Sequence, residues 1–172
     1  MDINNQKIVA NDLLKARSTA DPSIVLECAD GKVRIYSFPI SDQDSKEKMT
    51  MALRVLMGKL NVLKYTFVLE AWMSTNPGIR PSMSPTRQEY MVFLINDRVD
   101  ETCTFWPIQR NEDGSGYVTE THDVNQNGQS GLMCDLFDTE PYEKLSFTKK
   151  RAIDKLVLRL LNMRAEAMPT FH

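Results

Sequence analysis

Glu70, Trp72, Arg80, Arg87 and Glu89 are the residues of this chain whose types and spacing could do chemistry. They bracket a stretch, 74–88, that holds Pro77, Gly78, Pro81 and Pro85 and cannot form a regular element. The apolar runs on either side read as strands. If they pair antiparallel with Trp72 opposite Glu89, Met91 faces Glu70, and all four side chains share one face. The two carboxylates then become diagonal neighbours, roughly 7–8 Å apart at Cα. At that separation they could exchange protons with a substrate, as in a hydrolase or lyase, with or without a divalent cation. A cation between them, with Arg87 the candidate, would instead make a structural ion pair, and this is the favoured reading. A slip of one residue would send the carboxylates to opposite faces.

Other chemistries find less to work with. The chain has two histidines, His122 and His172, and the second is the last residue. Metal sites built on two histidines, zincin motifs and a GxSxG nucleophile elbow are therefore excluded. Cys134 and His122 fall on one irregular stretch, but a half-buried thiol and a solvated imidazole are favoured over a catalytic pair. Cys28 and Cys103 sit inside strand patterns as small core residues. No phosphate-cradling glycine motif occurs, and Gly114-Ser115-Gly116 reads as a turn. No metal or cofactor is expected.

Arg151, Lys155 and Arg159 recur every fourth residue and form a basic stripe on the last predicted helix. Such a stripe can meet phosphates. Here it reads as the solvated back of a helix, with no aromatics interleaved for base stacking. A net charge of -2 also argues against a nucleic-acid partner.

The elements that must position these residues follow from periodicity. Residues 3–17 carry Ile3, Val9, Leu13 and Leu14 on one side, and read as a short helix or a mobile arm. Ser23–Ala29 and Val33–Phe38 flank Asp30-Gly31, the favoured pair for a two-residue type I′ hairpin turn. Ser41 with Asp44 resembles a capping box opening a helix over 42–60, with Met49, Ala52, Leu53, Leu56, Met57 and Leu60 at helical spacing. Strict alternation predicts a strand over Lys64–Met73. Further strands follow at Glu89–Asn96, Thr102–Ile108 and Tyr117–Thr121. Residues 122–141 read as irregular. Ser146 then caps a helix over 146–166 that carries Ile153, Leu156, Val157, Leu160 and Leu161, with Pro169 beyond it.

A passage within this pattern has a counterpart. Leu69-Glu70-Ala71-Trp72-Met73, then Pro85-Thr86-Arg87-Gln88-Glu89 and an apolar strand, resembles small uncharacterised proteins of bacteriophages and bacteria. In these, a strand ending in a Glu-Ala-Trp-like run precedes a Pro-x-Arg-x-Glu-like run that opens the next strand. Pro107-Ile108-Gln109-Arg110 is similar to the end of their third strand. The resemblance covers residues 64–110, implies no activity, and adds Arg110 to the candidate set.

The expected fold is a single α+β domain over residues 1–172, with an antiparallel sheet, hairpin plus meander, covered by two helices on one face. Apolar residues make up 42% of the chain and charged residues 26%, an ordinary globular balance. No segment has the apolar length of a membrane span or the pattern of a signal peptide, and the three cysteines are scattered. A cytoplasmic setting is expected. The functional expectation is a small binding or assembly protein, phage-encoded as the resemblance implies, using the 74–88 loop and the adjoining sheet face. An unpaired sheet edge favours a homodimer. Whether the chain is an enzyme is left open.

Overall fold

A computed structural model of the chain describes residues 1–16, 21–74, 83–120 and 135–163, together with the backbone of 122–123. Helix α1 (Ile3–Ala16) is followed by a hairpin of β1 (Ser23–Cys28) and β2 (Val33–Ser37). Helix α2 (Gln43–Lys59) leads into the meander β3 (Val62–Met73), β4 (Gln88–Asn96) and β5 (Glu101–Arg110). Two short strands, β6 (Gly116–Val118) and β7 (His122–Asp123), precede α3 (Glu140–Glu143) and α4 (Phe147–Asn162). Strand order is β2-β1-β3-β4-β5-β6, with β7 also pairing β5, and every pairing is antiparallel. The chain is therefore α+β, as its changes of period predict.

The sheet is covered on both faces. On one side α2 and α4 bury Ala52, Leu53, Leu56, Met57, Ile153, Val157 and Leu160 against Ile24, Leu26, Tyr65, Phe67, Val92, Leu94 and Phe105. Leu136, fully buried, seals that layer, and Arg54 of α2 donates to the Asp138 carbonyl at 2.9 Å. On the other side α1 lays Val9, Ala10 and Leu14 on Val68, Met91, Phe93, Trp106, Ile108 and Val118. Two polar ties fix its position. The buried Trp106 indole donates to Gln6 Oε1 at 3.1 Å, and the Val118 amide donates to Asn11 Oδ1 at 2.9 Å. The two helices expected on one face, α2 and α4, do share it, and α1 adds cover on the other. The short-helix reading of the N-terminal segment holds, but Ile3 is exposed rather than part of its packed side.

Three local expectations are also corrected. Asp30-Gly31 sits in a hairpin, but the turn is not type I′. Only Gly31 has positive φ, at 76°, and the Gly31 amide donates to the Cys28 carbonyl at 3.0 Å. The Cys28 amide in turn donates to Lys32 O at 3.0 Å, which leaves a three-residue loop. That is a type I turn followed by a left-handed residue, the next commonest hairpin loop. The α2 cap lies one residue later than expected. Asp42 Oδ1 accepts from the Ser45 amide at 2.7 Å, and Ser45 Oγ accepts from the Asp42 amide at 3.1 Å, so serine takes the place of the usual glutamate. Helix α4 ends at Asn162, where Met163 turns extended, earlier than 166. In addition, β7 falls within the stretch expected to be irregular.

The hairpin turn gives a direct test. Gly31→Ala keeps a free path for the new methyl, since no atom lies within 4 Å, yet forces a Cβ into positive φ. A loss of about 1 kcal/mol is expected from the urea midpoint, with an unchanged slope.

Candidate functional site

Of the registers open to the two strands, the β3–β4 pairing adopts the one with Trp72 opposite Glu89 and Met91 opposite Glu70. Glu70, Trp72 and Glu89 therefore share the face that carries Val68, Met91 and Phe93, at the end of the sheet where β3 leaves for β4. The third strand completes the group. Tyr90 pairs with Pro107, so Arg110 comes off β5 on this same face, one pleat beyond Ile108.

Arg110 is the centre of the site. Its Nε and Nη2 donate to the two oxygens of Glu89, each at 2.8 Å, and Nη2 also donates to Glu70 Oε2 at 2.8 Å. The Glu89 contact is a bidentate fork, the geometry in which Arg and carboxylate bind most strongly. All three side chains are largely sheltered, at 24% exposure for Arg110, 11% for Glu70 and 14% for Glu89. Hydrogen bonding to Arg110 holds the Glu89 carboxyl below the usual carboxylate range, against the opposing effect of burial. Burial and the two carboxylates act on Arg110 in opposite directions, and the Glu89 bond dominates, raising its pKa. A general acid needs its pKa raised. Glu89 is moved the other way.

The bridging cation is therefore Arg110 and not Arg87. Arg87 instead lies with its guanidinium carbon 4.7 Å from the centroid of the Trp72 ring. Trp72 remains 42% exposed, and Met73 and Met83 are exposed as well. A second polar cluster fastens the ends of the connection. Ser74 Oγ donates to Ser84 Oγ at 2.7 Å, Ser84 and Thr86 hydroxyls lie 3.1 Å apart, and the Thr86 amide donates to Ser84 Oγ at 3.3 Å. Ser84 is buried. Sequence reasoning passed over these hydroxyls, because serine and threonine in a Pro-rich stretch are ordinary loop composition.

Arg80, Cys134 and the side chain of His122 lie outside the described residues. The other candidates, Glu70, Trp72, Arg87, Glu89 and Arg110, converge on one patch. Arg151, Lys155 and Arg159 are exposed along α4, on the opposite side of the sheet. Among the described residues no three His, Cys, Asp or Glu side chains gather as a metal site, and no helix is long and apolar enough to cross a membrane. What the patch offers is a fixed ionic base, a clamped loop neck, and an arginine stacked on an exposed tryptophan. No protein-family model, no curated protein and no solved structure matches the chain.

Proposed function

We propose that this chain is a small binding or assembly protein whose contact surface is the sheet end around Trp72 and Arg87, together with the 74–88 loop. The observation that carries the reading is the Arg87–Trp72 stack standing on the Glu70–Arg110–Glu89 base. Tryptophan and arginine are the side chains that most often dominate a binding interface. Here both are held before a partner arrives, which lowers the ordering cost of association. Exposed Met83 adds an adaptable apolar contact. The mixed cationic and aromatic character fits a protein partner with an acidic or mixed surface.

A hydrolase or lyase built on Glu70 and Glu89 has less support. Arg110 occupies the space between the carboxylates and engages both oxygens of Glu89 and one of Glu70. Three of the four carboxylate oxygens thus face the guanidinium rather than a substrate or an ion.

The test is quantitative affinity capture from cells that make the protein. The wild type is compared with Trp72→Ala/Arg87→Ala and with Val99→Ser, an exposed position at the far end of β4. The double variant should lose its specific partners by about tenfold or more, as expected for removal of two interface anchors, while Val99→Ser retains them. Equal recovery by all three proteins would contradict the reading. Light scattering over a range of concentrations decides whether the partner is a second copy of the chain.

A further inference from the structure

Helix α4 has a second exposed feature, independent of the Trp72 patch. Within Phe147–Asn162 it carries Lys149, Lys150, Arg151, Lys155 and Arg159 against the single carboxylate Asp154, in a chain whose net charge is -2. Cations elsewhere are commonly matched: Lys32 and Arg34 with Asp30, Lys48 with Asp44, Lys64 with Glu27, Lys144 with Glu140. Arg151, Lys155 and Arg159 have no acidic partner within ion-pair distance among the described residues. Asp154 accepts instead from the Tyr142 hydroxyl at 2.8 Å.

Phe147 heads the same line. It lies four residues before Arg151 and is 75% exposed, an unusual position for a large aromatic ring on a helix that has an apolar face to bury it in. The Arg151 guanidinium carbon sits 5.9 Å from the Phe147 ring centroid. Phe147, Arg151, Lys155 and Arg159 step along the helix by about 6 Å each, turning about 40° per step. The line winds across the outer side of α4 and never meets the buried side of Ile153, Val157 and Leu160.

We infer that this strip binds single-stranded nucleic acid. Three cations in a row neutralise successive phosphates, and an exposed ring beside them offers a stacking surface for an unpaired base, the combination such sites use. A duplex hides its base faces and would leave Phe147 without a role. A membrane surface would need a continuous apolar face, whereas the apolar side of α4 is already spent on α2 and the sheet.

Fluorescence anisotropy of labelled oligo(U) and oligo(dT), each about 12 nucleotides long, tests the inference on the full chain. A duplex of equal length and anionic phospholipid vesicles are the comparison arms. Binding of the single strands at low salt should weaken about 20-fold between about 50 and about 200 mM salt, as three neutralised phosphates on a single strand require. Phe147→Ala should weaken single-strand binding by about fivefold or more and leave the salt slope and any duplex binding unchanged. Arg151→Glu/Arg159→Glu should remove binding of both. All these side chains are exposed, so unchanged thermal melting of each variant is expected and confirms that the fold is intact. The inference is overturned by absence of single-strand binding at low salt, by vesicle binding in its place, or by a Phe147→Ala protein that binds as well as the wild type.

Discussion

Arg110→Met should destabilise the protein by about 2–3 kcal/mol at neutral pH, measured by urea unfolding. The substitution leaves Glu70 and Glu89, both largely sheltered, facing one another with no cation between them. Breaking a buried pair from one side is costly because the remaining charges have no compensation. The pH dependence has a definite sign. In the wild type the Glu89 carboxyl lies below its ordinary value. It therefore contributes stability above the unfolded pKa of about 4.3, and that contribution is lost as the pH falls through the folded-state value. In the variant the carboxyls are raised by burial and mutual repulsion. Their penalty is absent below the unfolded pKa and grows as the pH rises above it. The difference between the two proteins should thus be large at pH 7 and fade in acid. Adding Glu70→Gln and Glu89→Gln to Arg110→Met should restore most of the loss at pH 7, since no charge then remains unpaired. A difference independent of pH would mean that Arg110 acts through packing alone.

Leu14→Ala should cost about 3 kcal/mol, within the usual range for truncating a fully buried leucine. The size of the loss reports whether α1 is an integral layer or an arm. Leu14 packs with Val9 and Ala10 on Val68, Met91, Phe93, Trp106, Ile108 and Val118, and together they form the second core. If α1 left the sheet, these strand residues would present a contiguous apolar patch, the kind that drives association in soluble proteins. The expected result is a lowered urea midpoint with a single transition, read by both far-UV and tryptophan signals. A wild-type midpoint for Leu14→Ala would show that α1 does not cover that face in solution.

The parts of the fold set by side-chain periodicity were legible in the chain itself. Alternation over Lys64–Met73 and Glu89–Asn96 marked both strands and their faces, while the register that puts both carboxylates on one face was one of those it allowed. Helical spacing likewise identified the sides that α2 and α4 bury. What sequence reasoning missed depends on distant pairing. The role of Arg110 follows from the β4–β5 register, which no local pattern fixes, so the nearer Arg87 stood as the candidate bridge. Helix α1 is anchored by Gln6, Ala10 and Asn11, two of them polar and one small, and a count of large apolar residues gives them no weight. Strand β7 is two residues long and has no period to detect. The basic stripe was read with no aromatic beside it, and only the helix packing shows that Phe147, one turn ahead of Arg151, stays outside.

The surface on which binding rests is the Trp72–Arg87 end of the sheet. Site-specific photo-crosslinking tests it most directly, with a photoreactive residue placed at Met83 in one protein and at Val99 in another, both exposed and at opposite ends of β4. Discrete crosslinked adducts are expected from Met83 in cells that make the protein, lost when Trp72→Ala/Arg87→Ala is added, and none from Val99. Adducts from Val99 alone, or Met83 adducts that persist in the double variant, would contradict it.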